Sequence, residues 1–349
     1  MRGGFVSGFA VNMNRLDDYD YHLPPELIAQ QGVEPRDASR LMVLHRADGR
    51  LEHRLFREVV DYLREGDVLV LNQSKVIPAR LFATNPQGTP VEVLLVRELS
   101  PEGRGGVWEA MLKPAKRAKG GLRFADDLEA EVIAVEEDGT RVLRFSGNVW
   151  EHLEALGQTP LPPYIHEPVD PERYQTVYAR TPGSVAAPTA GLHFTPGLLE
   201  RIRAMGVETH YVTLHVGPGT FKPVKDDPDR HTMHAEPYEV PLETAEAVGR
   251  AKAEGRRVVA VGTTVVRTLE SAWQGGQLRA GRGETQLFIR PGFTFRAVDA
   301  LITNFHLPKS TLLMLVSAFA GHELTMRAYR TAVEQRYRFY SLGDAMLIV

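Results

Sequence analysis

The sequence contains no cysteine, and this absence removes several kinds of chemistry from consideration. A chain without cysteine can have no disulfide framework, no thiolate metal site and no cysteine nucleophile. The same absence is consistent with a reducing compartment, so we expect a cytoplasmic location. The sequence also lacks an apolar run long enough to span a bilayer, and we therefore expect no membrane partner.

A strong net charge is missing as well, since the formal charge of the 349-residue chain at pH 7 is only −3. A nucleic-acid partner would then need a local basic patch. One candidate patch lies in a β-rich segment and consists of Lys113, Lys116, Arg117 and Lys119, with Arg123 nearby. On charge alone a solvated basic loop is the simpler explanation, although phosphate contacts require clusters of this kind.

The order of predicted elements indicates two structural units, as the chain length also does. From about residue 67 to residue 145, short strand patterns follow one another without a helical period, which predicts a small antiparallel barrel or sandwich. Further on, strands alternate with helices, as in an α/β layer structure. We therefore predict a mixed-sheet α/β domain, residues 1–66 and 149–349, with a small antiparallel β-barrel domain inserted at 67–148. Near the start, Pro24 and Pro25 predict a proline-started helix within residues 19–31.

Two similar segments between residues 183 and 224 organise the rest of the chain. Each places a histidine beside glycines, a hydroxyl and a phenylalanine, and glycine allows a backbone to approach a ligand closely. A helix ending at Gly206 and a strand at 208–214 separate them, so the second segment follows the carboxyl end of a strand, where α/β sheets hold ligands. The predicted ligand-site residues are Thr189, Gly191, His193 and Phe194 in the first segment, and His215, Gly217, Gly219, Thr220 and Phe221 in the second.

Two more strand-to-helix turns have a similar composition. In the first, Thr263 and Thr264 open a helix that carries Arg267, and the helix N-terminus suits an anionic group, although simple capping would also explain the threonines. In the second, Asn304 and His306 follow a strand and precede a helix. A single loop histidine is usually structural, but three such loops together favour a ligand site.

The segment 231–236 raises the possibility of a metal site, because His231, His234 and Glu236 are types of residue that bind metals. The segment has the composition of a loop, however, whereas metallohydrolase signatures place such a histidine pair on a helix. The serine nucleophile pattern Gly-x-Ser-x-Gly is also absent. We therefore expect no metal ion.

Several stretches of the sequence together match the motifs of one known family. The most specific are Leu-Val-Leu-Asn-Gln-Ser-Lys-Val-Ile-Pro-Ala-Arg-Leu at 69–81 and Thr-Asn-Phe-His-Leu-Pro-Lys-Ser-Thr at 303–311. The others lie at 113–117, 160–165, 173–179, 183–224, 231–236, 262–270 and 343–348. With these stretches the chain resembles the S-adenosylmethionine:tRNA ribosyltransferase-isomerases of queuosine synthesis. The departures are Gln73, His45 and an additional segment at residues 1–12.

The resemblance implies transfer and isomerisation of the ribosyl part of S-adenosylmethionine onto 7-aminomethyl-7-deazaguanine at the tRNA wobble position. The products are epoxyqueuosine, adenine and methionine. S-adenosylmethionine is a substrate, so no cofactor, no metal and no obligate protein partner are implied, and tRNA is the macromolecular partner, which the basic patch would contact.

That chemistry needs a base near the sulfonium and an acid for adenine, and histidine can serve as either. The candidates are His193, His215 and His306, with Glu236 as a carboxylate alternative. Phe194, Phe221 or Phe305 could stack on adenine, Arg267 or Lys309 could hold the methionine carboxylate, and His234 is a further substrate-binding candidate. The rival interpretations are a non-catalytic tRNA-binding protein and a metal-dependent hydrolase. An ordinary methyltransferase fits less well, because methyl transfer would leave adenine attached.

Overall fold

The computed structural model describes residues 15–100, 105–118, 120–221, 228–231 and 233–349. Its strands, numbered in chain order, are β1 Arg40–Leu44, β2 Leu51–Leu55, β3 Val68–Asn72, β4 Ser74–Val76, β5 Arg80–Thr84, β6 Pro90–Glu98, β7 Val107–Lys113, β8 Leu122–Ala125, β9 Leu128–Val135, β10 Arg141–Phe145, β11 Thr181–Ser184, β12 Glu208–Leu214, β13 Glu236–Val240, β14 Val258–Val261, β15 Trp273–Gln274, β16 Gln277–Leu278, β17 Gly281–Thr285, β18 Ala300–Asn304 and β19 Ala345–Ile348. The α-helices are α1 Leu153–Leu156, α2 Pro196–Ala204, α3 Leu242–Ala253, α4 Thr263–Ala272, α5 Thr311–Ala320 and α6 His322–Glu334.

Nine strands form one mixed sheet in the order β17-β13-β12-β3-β14-β18-β19-β1-β2. Four neighbours in its centre, β12, β3, β14 and β18, run parallel to one another. The pairs β18–β19, β12–β13 and β1–β2 are antiparallel. Because parallel strands end on the same side, the loops that follow these four strands meet at one end of the sheet.

Helices cover both faces of the sheet, as expected when central strands are apolar on both sides. In β3, Val68 and Val70 pack with α3, α4, α5 and α6, whereas Leu69 and Leu71 pack with α2 and the 3₁₀ helix Phe56–Tyr62. The alternation follows from the two-residue period of a strand. None of the helices in the described ranges is long and apolar enough to cross a membrane.

The second unit is a closed antiparallel barrel with strand order β10-β7-β6-β5-β8-β9. Alternate residues such as Val91, Val93, Trp108 and Ala110 fill its interior. The predicted fold class, a mixed sheet with a small inserted barrel, is confirmed. The barrel strands lie within the predicted range 67–148, but β3, which that range also includes, pairs in the centre of the nine-stranded sheet. The division into domains stays a prediction.

The prediction of a proline-started helix within residues 19–31 is wrong, since of that helix only the 3₁₀ turn Pro25–Leu27 forms. The chain does not continue as a helix beyond this turn. The Phe339 amide donates to the Leu27 carbonyl, and the Ala29 amide donates to the Phe339 carbonyl. A bridge to a distant segment has replaced the local hydrogen bonds. The segment that follows the barrel forms the 3₁₀ turn Val149–Glu151 and then the short helix α1.

Candidate functional site

A cavity of about 750 Å³ lies between the barrel and the end of the sheet where the parallel strands finish. The loop after β12, the start of β13 and the second turn of α4 form its wall on the sheet side. Six of the residues predicted from sequence line it, namely His215, Gly217, Gly219, His234, Glu236 and Arg267. Segments far apart in the sequence are therefore brought to one site, as the repeated strand-end composition indicated.

A second, smaller cavity of about 70 Å³ lies next to it, and Leu312 of α5 borders both. It is enclosed by the turns that follow β14 and β18 and by the 3₁₀ helix Thr189–His193. The predicted residues that line it are Thr189, Thr263, Thr264, Asn304, Phe305 and His306. The predicted site thus divides between two adjoining cavities.

A buried ion pair is the main charged feature of the large cavity. Arg267 Nη2 lies 2.5 Å from Glu236 Oε2, and the two side chains are only 2% and 9% exposed. In the described part of the chain, the Nε and Nη1 groups of Arg267 have no hydrogen-bond partner. Unsatisfied buried N–H groups are costly, and a guanidinium matches a carboxylate well. Arg267 is therefore suited to bind an anionic ligand group at this wall.

His215 follows β12 and faces the same cavity. Its imidazole packs directly on Gly183 of β11, where a Cβ would lie 2.9 Å from Cε1. Gly183 also has φ of +140°, in the region that side chains rarely adopt. Close approach and backbone conformation both require glycine, and the glycine in turn fixes the ring.

His193 is 4% exposed and lines neither cavity. Its Nδ1 is 2.7 Å from Ser39 Oγ, its Nε2 is 3.4 Å from Asn304 Oδ1, and its ring stacks on Phe56. Since the Asn304 amide nitrogen donates to the Tyr340 carbonyl, its oxygen is left to accept from His193. Burial lowers the pKa of His193 to about 3, so the ring is neutral at neutral pH. It fixes Asn304 at the smaller cavity.

His306 follows β18 and lines the smaller cavity. Its Nε2 lies 2.8 Å from Thr303 Oγ1, and its backbone amide donates to the Tyr329 hydroxyl over 2.9 Å. Burial lowers the pKa of this histidine to about 3 as well. The ring is therefore neutral and held in place, with a nitrogen that can exchange a proton with a neighbouring hydroxyl.

The structure brings other predicted residues to neither cavity. Phe194 is fully buried against Phe56, with ring centroids 5.0 Å apart, and has no face open to a ligand. Gly191 is buried where a Cβ would meet the Tyr178 hydroxyl. Lys309 forms ion pairs with Asp17 and Asp20 at 2.9 and 3.1 Å.

The basic residues lie on the barrel. Lys113 ends β7, and Lys116 and Arg117 are exposed on the 3₁₀ turn Ala115–Arg117. Lys119 lies outside the described residues, as do the side chains of Thr220 and Phe221.

Comparison with known proteins decides the family. A family model described as "Queuosine biosynthesis protein" matches residues 16–348. The chain belongs to this family.

Among its relatives, the S-adenosylmethionine:tRNA ribosyltransferase-isomerase of Thermus thermophilus is 64% identical, covering 97% of this chain and 100% of the relative. That of Symbiobacterium thermophilum is 58% identical, with 96% and 100% covered. The crystal structure of the S-adenosylmethionine tRNA ribosyltransferase of Thermotoga maritima is 45% identical, covers 95% of this chain and 100% of that one, and has a TM-score of 0.56.

Sequence reasoning missed the barrel side of the large cavity. Trp108, Glu109, Met111, Asp138 and Trp150 all line it. The alternation along β7 separates Glu109 and Met111 from the barrel interior, but nothing local indicates that this outer face is turned toward the sheet. The histidines at 231 and 234 line the same cavity. Within the described ranges, no three His, Cys, Asp or Glu side chains are grouped to hold a metal ion.

Proposed function

We propose that this chain is an S-adenosylmethionine:tRNA ribosyltransferase-isomerase. It forms epoxyqueuosine in tRNA from 7-aminomethyl-7-deazaguanine, with release of adenine and methionine. The observation that carries this conclusion is the 64% identity to the Thermus thermophilus enzyme over that relative's whole length. A 750 Å³ cavity between two structural units, with histidines and a buried arginine in its wall, is of the size that ligand sites usually have.

S-adenosylmethionine would bind on the sheet side of the large cavity. The Nε and Nη1 groups of Arg267, which have no hydrogen-bond partner among the described residues, favour this residue, over Lys309, as the group that holds the methionine carboxylate. Glu236 already engages Arg267 at 2.5 Å and so would orient the guanidinium. We therefore assign Glu236 a positioning role in preference to that of a base.

The reaction requires a proton to leave the carbon that bears the sulfonium and another to reach adenine. His215 is our candidate for the base, because it lines the large cavity, as Arg267 does. His306 in the adjoining cavity is neutral and is our candidate for the second proton carrier. The burial of His193 supports a positioning role, exerted through Asn304.

The exposed basic residues of the barrel, Lys113, Lys116 and Arg117, would bind tRNA phosphates. A tRNA substrate also places the protein in the cytoplasm, where tRNA is modified. The polynucleotide would then cover the cavity from the barrel side.

The test is adenine release from S-adenosylmethionine with tRNA that carries 7-aminomethyl-7-deazaguanine, in the presence and absence of a chelator. We expect one adenine per modified base, unaffected by the chelator. His215→Gln should slow single-turnover release by about 10²–10⁴-fold, the usual contribution of a general acid or base. His210→Gln is the matched control, since His210 lies on β12, the strand that His215 follows, and bonds to Glu208 outside the cavity. Binding of tRNA without adenine release would establish the non-catalytic alternative, and chelator-sensitive activity would establish the hydrolase.

A further inference from the structure

The barrel wall of the large cavity has a chemical character of its own. Along β7, Trp108 and Ala110 are buried in the barrel, so Glu109, Met111 and Lys113 share its outer face. Glu109 and Met111 line the cavity, whereas Lys113 is exposed at the far end of the strand. One strand face therefore runs from the cavity to the basic patch.

Carboxylates outnumber cations on this wall. Glu98, Glu109 and Asp138 line the cavity from the barrel. Arg97 is the cationic neighbour of Glu109, and His234 Nδ1 lies 3.8 Å from Asp138 Oδ2. The Thr140 hydroxyl lies 2.7 Å from Asp138 Oδ1 and 3.2 Å from Glu109 Oε1 and can donate to only one of them at a time. Arg97 Nε is 3.4 Å from Glu109 Oε2. A phosphate is unsuited to such a wall, and a cationic group is suited to it.

Two tryptophans complete the wall. Trp150 is half-buried, and its indole N–H donates to Glu98 over 2.9 Å. Trp108 is 1% exposed, its ring centroid lies 5.4 Å from that of Trp150, and its indole nitrogen has no hydrogen-bond partner in the ranges that the structure describes. Trp108 therefore supports Trp150 from inside the barrel, and the half-buried Trp150 lines the cavity. An aromatic side chain in this position is the usual environment of a nucleobase taken out of its stack.

Glu109 lies close enough to the basic patch for one short stretch of tRNA to contact both. Four residues of extended strand separate Glu109 from Lys113, which is roughly 13 Å at the usual rise of a strand. A backbone phosphate at Lys113 and a base against Glu109 would then belong to the same short stretch of tRNA. The same strand face can therefore hold the backbone at one end and the base at the other.

We infer that the barrel wall receives the target base of tRNA, and that Glu109 and Asp138 recognise its cationic aminomethyl group. This inference rests on the proposed function, because that function supplies the base. A primary amine is protonated at neutral pH, as lysine is. Guanine without the aminomethyl group offers no such charge, so the two carboxylates select the modified tRNA before any chemistry takes place.

The test is the ratio of two dissociation constants measured on the same protein without S-adenosylmethionine. One ligand is tRNA with unmodified guanine at the wobble position, and the other is the same tRNA with 7-aminomethyl-7-deazaguanine. We expect wild type to prefer the modified tRNA by about tenfold or more, the usual effect of a hydrogen bond to a charged group. Glu109→Gln and Asp138→Asn should bring the ratio close to one. Glu131→Gln is the control, because Glu131 is exposed on β9, pairs with Arg144 and lies outside the cavity.

Because each ratio compares two ligands on one variant, a general loss of tRNA affinity cancels. Loss of the preference in either variant, with the control unchanged, supports the inference even if the other variant fails to fold. A wild type that does not discriminate, or a preference kept in every folded variant of Glu109 and Asp138, overturns it. Adenine release by wild type is measured separately. Its absence defeats the proposed function, whereas normal release with unchanged ratios defeats only this inference.

Discussion

Replacement of Gly183 by alanine should damage catalysis while leaving the fold largely intact. The new Cβ would lie 2.9 Å from Cε1 of His215 and 3.1 Å from both ring nitrogens. The first contact is shorter than real Cβ contacts and the other two are tighter than most of them, so the imidazole must move by a few tenths of an ångström. The backbone at φ +140° would also be strained, at a cost of about 1–3 kcal/mol. A displacement of about 1 Å in a catalytic group can cost about 10²-fold in rate, and we expect a loss approaching that value.

The assay is single-turnover adenine release, measured beside thermal unfolding and tRNA affinity. Gly292→Ala is the matched control, because Gly292 also has a positive φ, of +100°, but a Cβ there would have no neighbour within 4 Å. The control should lose stability by a similar amount and keep its rate. If Gly183→Ala folds and releases adenine at the wild-type rate, the placement of His215 at the reacting centre is refuted.

Three further predictions concern ionisable residues. Arg267→Lys should raise the KM for S-adenosylmethionine by about tenfold or more, because lysine cannot replace the Nε and Nη1 groups, which have no partner within the described ranges. An unchanged KM would remove Arg267 from the carboxylate site. Replacing Lys113, Lys116 and Arg117 by alanine should flatten the salt dependence of tRNA binding by roughly two units of slope, and an identical slope would make them solvated surface. His193 has a folded pKa of about 3, below the usual value of 6.5, so protonation favours the unfolded state. The contribution of His193 to the free energy of unfolding is complete above about pH 6.5 and is lost as the pH falls toward 3, by up to about 1.4 kcal/mol per pH unit. The free energy of unfolding of His193→Gln, measured with urea at several pH values, should therefore depend less steeply on pH. An equally steep dependence on pH in that variant would contradict a buried neutral His193.

The sheet side of the site could be predicted from sequence because its signals are local. Buried strands such as β14 are runs of apolar residues, and each is followed at once by a turn rich in glycine, threonine or asparagine. The parallel arrangement of the strands then brings Thr263 and His306 to the smaller cavity and His215 to the adjoining large one. Strand-end composition carries this information without any knowledge of tertiary contacts.

The functions of the individual histidines could not be predicted from sequence in the same way. His193 and His215 have similar sequence neighbours, yet one is 4% exposed against Phe56 and the other faces the cavity. The difference depends on packing between elements far apart in the chain. The position of Glu109 at the cavity could not be predicted for the same reason. The sequence pattern of a barrel strand is the same whether its outer face contacts solvent or another structural unit.

Ribosyl transfer to tRNA is tested most directly with two labelled forms of S-adenosylmethionine, one labelled in the ribose carbons and one in the methyl group. We expect the ribose label to enter tRNA carrying 7-aminomethyl-7-deazaguanine in equal amount to the adenine released, and the methyl label to remain with methionine. Methyl label in the tRNA, or no label of either kind while tRNA is bound, would contradict ribosyl transfer.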